Sequence, residues 1–106
     1  MVRVLLDACA PHWLSRGLTE FEVETAYFAE LDQLSDTALL DAMGGRYDAL
    51  VTLDRNLTYQ QKIEGRSVAV IVLRVVEQTP EAFRALVPQL QAAIRSASGG
   101  SVTVVG

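Results

Sequence analysis

Two aspartates each follow directly on an apolar run: Asp7 after Val4-Leu5-Leu6, and Asp54 after Leu50-Val51-Thr52-Leu53. Such a run reads as a buried strand, and the aspartate marks the strand's carboxyl end. If the two strands are parallel neighbours, both carboxylates come to the same edge of one sheet. Carboxylates held close repel, so one takes a proton or a cation sits between them. The chain has one cysteine and one histidine, so no His–Cys set for zinc exists. A hard divalent ion with oxygen ligands, Mg2+ or Mn2+, is the economical partner. The simpler alternative is that each aspartate caps the turn or helix that follows it.

Asp36, in Leu34-Ser35-Asp36-Thr37, is a third candidate. It starts a predicted helix, where an acid is expected as a cap, and that helix end could overhang the strand edge and supply a third ligand. Asp41 faces elsewhere on the same helix, and Asp48 reads as a turn residue. Thr52 alternates with Leu53 and shares a side with Asp54, so its hydroxyl can serve the site from behind, although a packed strand threonine is the default. Asn56 either caps the next helix or orients a metal-bound water. Cys9 and His12 stand at the spacing of a nucleophile and its base. With only one of each, and with a better carboxylate arrangement nearby, Cys9 reads instead as a small buried apolar residue.

The elements that must position these residues alternate strand with helix. Val2–Leu6, Phe21–Thr25, Ala49–Leu53, Val68–Leu73 and Val102–Val105 read as strands. The Phe21–Thr25 alternation marks a half-exposed edge, and Val68–Leu73 reads as the central strand, buried on both faces. Helices are predicted from Pro11 to about Gly17, from Ser35 or Asp36 to Met43, from Asn56 to about Glu64 with Gly65 as terminator, and from Thr79-Pro80-Glu81 onward. The stripe Phe83, Leu86, Val87, Leu90, Ile94 is a core or dimer face, and Pro88 should kink or split that helix. Trp13 with Leu14 reads as core. Five strands interleaved with helices imply an α/β domain with a mostly parallel sheet. In such a sheet, ligands bind beyond the carboxyl ends of the strands where strand order reverses.

Composition sets outer limits. The 106 residues fit a single domain, 1–106, and the net charge of −4, from nine basic and thirteen acidic residues, weighs against a passive nucleic-acid-binding module. It does not exclude a nuclease, since a hard-cation site needs carboxylates. No apolar run approaches the roughly 18 residues of a membrane span. Met1–Asp7 lacks a signal peptide's apolar stretch, so a cytoplasmic protein with no membrane association is expected.

Taken in order, Leu5-Leu6-Asp7 with Pro11, Leu34-Ser35-Asp36 with Leu39-Leu40, Tyr47-Asp48-Ala49-Leu50-Val51-Thr52-Leu53-Asp54-Arg55-Asn56-Leu57, and Val68–Arg74 resemble the PIN-like family. More narrowly, the chain resembles small stand-alone PIN-like proteins related to VapC-type toxins. The stretch Asp54–Gln61 is similar to one branch, and the resemblance covers nearly the whole chain. It implies a PIN-like three-layer α/β/α sandwich and a carboxylate cluster that binds Mg2+ or Mn2+. It also implies ribonuclease activity on an RNA substrate and pairing with a cognate antitoxin. Asp7, Asp36 and Asp54 match the family's acidic positions as catalytic and metal-binding residues. Asn56 stands at a position often acidic in relatives, Ala8 where many carry glutamate, and His12 and Trp13 where basic residues are frequent.

On that basis the expected chemistry is phosphodiester hydrolysis, with Arg55, Asn56 and Thr52 toward the substrate, and Arg74, Lys62 and Arg16 as further basic positions. A catalytically inactive PIN-like protein-binding module is the alternative, and a homodimer is compatible with either. A phosphoacceptor receiver also uses strand-end aspartates. It needs an acidic pair at the first strand and a lysine at the last, whereas here Ala8 follows Asp7 and the single lysine, Lys62, precedes Val68.

Overall fold

A computed structural model of the chain describes residues 1–57 and 62–106. Strands β1 (Arg3–Leu6), β2 (Glu22–Thr25), β3 (Ala49–Thr52), β4 (Ala69–Leu73) and β5 (Val102–Val105) form a five-stranded sheet in the order 2-1-3-4-5. Every pairing is parallel, so the chain is an α/β protein with an all-parallel sheet. Between the strands lie a 3-10 helix (His12–Gly17) and the helices α1 (Asp36–Met43) and α2 (Pro80–Arg95).

Burial follows the strand alternation of period two. Val4, Leu6, Ala49, Val51, Ala69, Ile71 and Leu73 pack with Leu14 and Leu18 of the 3-10 helix region and with Phe83, Leu90 and Ile94 of α2. Leu5, Leu50, Val70 and Val72 pack on the opposite face with Leu39, Leu40 and Met43 of α1. Helices thus cover both faces, which is why β3 and β4 are buried at every residue and read as unbroken apolar runs. The outer strand β2 alternates exposed and half-buried, with Glu22 and Glu24 on its exposed positions, and such charges discourage pairing with another chain.

Local signals explain the helices. The Ser35 hydroxyl accepts the Ala38 N–H at 3.3 Å and starts α1. The Thr79 hydroxyl accepts the Ala82 N–H at 3.2 Å, ahead of Pro80 at the first turn of α2. At the amino edge of the sheet, the Arg3 N–H donates to Asp48 Oδ2 at 2.8 Å and its guanidinium pairs with the same carboxylate. These bonds hold the Asp48 carboxyl below its usual range, the backbone N–H contributing most.

β4 is interior and buried at every residue, as expected, and β3 shares that position between β1 and β4. Several expectations need correction. β3 stops at Thr52 because the Leu53 N–H turns to Cys9 Sγ at 3.4 Å. The Pro11 segment is a 3-10 helix starting at His12, with Pro11 just outside it in extended conformation. Pro88 does not split α2. It is exposed, as is Arg84, whose carbonyl loses its i+4 donor, so the missing bond falls on the solvent side while Phe83, Leu90 and Ile94 hold both halves against one face. Asn56 is already helical and does not cap; the acceptor is Asp54, whose Oδ1 takes the Asn56 N–H at 2.9 Å. The predicted helix does not reach Glu64, since Lys62 and Ile63 are not helical, and positions 58–61 lie outside the described residues.

The Ser98–Ser101 loop packs closely on the segment before β4. A Cβ on Gly99 would stand 2.7 Å from the Ser67 carbonyl oxygen, and a backbone neighbour cannot yield cheaply. Gly99→Ala is therefore expected to destabilise the fold by about 1–3 kcal/mol in urea unfolding. Gly44→Ala, whose new Cβ meets only the Asp41 carbonyl at 3.5 Å, should stay within about 0.5 kcal/mol of the parent.

Candidate functional site

The order 2-1-3-4-5 reverses between β1 and β3, the position where ligands bind in open parallel sheets. Leu6 stands opposite Val51 in the register, and the Asp7 N–H continues the ladder onto the Val51 carbonyl at 2.9 Å. Asp7 is thereby level with Thr52. By the strand alternation both belong to the face carrying Leu5 and Leu50, which is the α1 face.

Thr52 is fully buried, and its hydroxyl joins the two strand ends. Oγ1 donates to Asp7 Oδ2 at 2.7 Å and accepts the Asp54 N–H at 3.0 Å. The Ala8 N–H donates to Asp7 Oδ1 at 2.8 Å, so both oxygens of that carboxylate are oriented by the chain. Thr52 therefore lies behind the acids with no exposed surface of its own; it positions Asp7 and the Asp54 backbone rather than facing a substrate.

Asp36 enters from the first turn of α1. Its carboxyl is pushed above the ordinary range, first by partial burial and then by the negative charges of Asp54 and Asp7. The residues that the sequence marked as a trio thus share one electrostatic neighbourhood. They do not form a closed cage: among the described residues, no group of three His, Cys, Asp or Glu side chains stands ready to hold a metal ion alone. The donor set is all carboxylate oxygen, and magnesium commonly takes one or two carboxylates, several waters and substrate phosphate oxygens. Carboxylate oxygen is the donor type that Mg2+ and Mn2+ take.

A cleft of about 500 Å³ adjoins Asp54, lined by Leu53, Arg55, Leu73, Arg74, Val75, Val76, Gln78 and Gly106. It places Arg55 and Arg74 together beside the acidic edge, where guanidinium groups suit phosphate. Asn56 is exposed on the turn that follows. Lys62 lies before β4, toward the amino edge, and Arg16 on the 3-10 helix lines a different groove.

Cys9 corrects the sequence reading. It is exposed and polar in its contacts, while its neighbour Ala10 enters the core. Its thiol lies 3.6 Å from Asp7 Oδ2 and 3.5 Å from Thr52 Oγ1, and it accepts the Leu53 N–H. Although the residue is exposed, its sulfur is partly shielded within this cluster, which raises the thiol's pKa and disfavours the thiolate that a nucleophile needs. The His12 ring stacks on Tyr27, with centroids 6.4 Å apart. Tyr27 and Phe28, 69% and 80% exposed, follow β2 at the same carboxyl edge and were missed in the sequence. The available signal was a pair of adjacent aromatics just past a strand end.

Two measurements probe this edge. In Asp54→Asn, which keeps the Oδ1 acceptor for Asn56, Asp36 should titrate at lower pH than in the parent by carboxyl NMR, because one of the charges raising it is gone. The sign for stability follows. A raised native pKa means that repulsion weakens the fold above it and disappears below the unfolded carboxylate value of about 3.9. Asp54→Asn should therefore gain stability at neutral pH and lose that gain on acidification. Thr52→Val, which removes the hydroxyl between Asp7 and Asp54, should cost about 1–3 kcal/mol in chemical denaturation, whereas Thr52→Ser should retain most of the stability.

Comparison of the chain with known protein families, with curated proteins and with solved structures finds no match.

Proposed function

We propose that the chain is a divalent-metal-dependent ribonuclease of PIN-like type. In this proposal residues 1–106 form a single PIN-like three-layer α/β/α sandwich that acts in the cytoplasm as the toxin of a toxin–antitoxin pair. The observation that supports the proposal is that Asp7 and Asp54 follow the neighbouring strands β1 and β3 at the strand-order reversal, both hydrogen-bonded to the Thr52 hydroxyl, Asp7 through its carboxylate and Asp54 through its backbone N–H. Repulsion between the carboxylates at this edge is the condition that a bound cation relieves. Among the described residues, no helix is long and apolar enough to cross a membrane.

Asp7 and Asp54 would hold Mg2+ or Mn2+, with Asp36 completing the ligand field directly or through water. Bound there, the ion would supply Lewis-acid polarisation of a phosphodiester and an acidified water. The protein's own share is positioning. Thr52 fixes the Asp7 carboxylate, the Asx turn at Asp54 fixes the second, and Arg55 and Arg74 bind the phosphate backbone in the adjoining cleft. A raised Asp36 is suited to exchange a proton with a reacting water. A cognate antitoxin would act by covering this edge.

A second reading, a PIN-like protein that binds a partner without cutting RNA, is favoured by the net charge of −4 and by Ala8 and Asn56 standing where the resemblance puts further acids. Cleavage of single-stranded RNA with Mn2+, with EDTA, and with Asp54→Asn decides between them. The ribonuclease reading expects manganese-dependent cleavage that falls by at least about a hundredfold in the variant, the upper end of what loss of a mere supporting residue causes. Unchanged cleavage in Asp54→Asn, or none with Mn2+, overturns it. Complex formation with a partner protein in the absence of cleavage supports the second reading.

A further inference from the structure

The two outer strands of the sheet meet solvent differently. β2 carries Glu22 and Glu24 at its exposed positions, whereas the segment from Ser96 to Gly106, which contains β5, has no charged side chain. β5 is the last strand in the order 2-1-3-4-5, so among the described residues its outer side has no strand partner. The Ser101 carbonyl accepts the Val70 N–H at 2.9 Å, and the Val105 carbonyl accepts the Arg74 N–H at 2.8 Å. Backbone groups alternate sides along a strand, so Val102 and Val104 turn their N–H and C=O groups outward. Their side chains stand in register with the buried Val70 and Val72 on the α1 face, yet are 45% and 55% exposed. An uncharged, β-branched edge of this kind is a template for a further strand.

We propose that β5 pairs antiparallel with β5 of a second copy of the chain, about a twofold axis at Thr103, joining the two five-stranded sheets into one. The outward-facing residues fix the register. Val102 of each copy lies opposite Val104 of the other, each such pair exchanging both N–H···O bonds, and Thr103 lies opposite Thr103. Opposed residues share a face, so the valines of both copies continue the apolar row that begins at Val70 and Val72, and the two threonines meet on the α2 face. Charge selects a second copy as the occupant. A twofold sets a strand against itself, so any charge on it meets its like. β2 fails that condition through Glu22 and Glu24, and β5 meets it along its whole length. A charged peptide finds no opposite charge on this edge. Pairing uses up the β5 edge of both copies and leaves only the glutamate-bearing β2 edges outside, so assembly stops at the dimer. The proposal needs neither metal nor cleavage and stands apart from the ribonuclease reading.

Sedimentation of the full chain in EDTA, up to about 1 mM, should show a mass rising with concentration toward twice that of one chain. Val104→Lys should keep the far-UV circular dichroism and lower dimer affinity about tenfold, since both opposed valine pairs are lost. The register is read by cross-linking in a Cys9→Ser background with oxidised glutathione, which takes two electrons and two protons from a pair of thiols. Thr103→Cys sets the two thiols across the axis, on Cα atoms about 4.5 Å apart and within disulfide range, and should give a covalent dimer. Val102→Cys sets them on a diagonal of about 7–8 Å, beyond that range, and should stay one chain on a denaturing gel. A one-chain mass at every concentration, the outcome expected if the edge receives a strand of another protein, overturns the proposal. So does an undiminished dimer in Val104→Lys, or cross-linking of Val102→Cys as ready as that of Thr103→Cys.

Discussion

The backbone ladder between β1 and β3 carries the candidate site. It ends with the Asp7 N–H on the Val51 carbonyl at 2.9 Å, which sets Asp7 beside Thr52 with no freedom of register. A slip of one residue would turn Leu5 and Leu50 out of the α1 face and Val4 and Val51 out of the α2 face, so two cores oppose it at once. The Thr52 hydroxyl then converts a backbone register into a side-chain geometry by donating to one acid and accepting from the backbone of the other. Since Thr52 is buried, solvent cannot replace these bonds, and the arrangement is as rigid as the sheet.

The two edges of the sheet treat the same residue type in opposite ways. At the amino edge, Asp48 has the Arg3 N–H and guanidinium for partners, and its carboxyl is held below the usual range. At the carboxyl edge, Asp36 meets burial and two like charges, and its carboxyl is held above it. The amino-edge carboxylate is satisfied and structural, while the carboxyl-edge group is left in tension despite its favourable place at a helix start.

Much of this was legible in the chain. The paired apolar runs ending in Asp7 and Asp54 located the strand ends, Ser35 and Thr79 announced the helix starts, and the alternation of Phe21–Thr25 marked the outer strand. Cys9 was misread because a lone cysteine after a strand resembles core, and only the turn that sends Ala10 inward leaves the thiol among polar groups. Asn56 was misread as a cap because asparagine and aspartate share that role, and their order in the turn is decided by where β3 ends. Pro88 was expected to kink or split its helix because a proline's local cost is visible in sequence, whereas the packing that keeps the helix in one piece is not.

By itself the sequence determined periodicity: which segments are strands or helices, which faces are apolar, and which carboxylates terminate buried runs. These are local properties, set by side-chain alternation and by capping within a few residues. Only the tertiary structure decided that β1 and β3 are neighbours, that Thr52 bridges their ends, and that Arg84 lies over Trp13. Those outcomes depend on strand order and helix packing, which join residues tens of positions apart through contacts that no local pattern encodes.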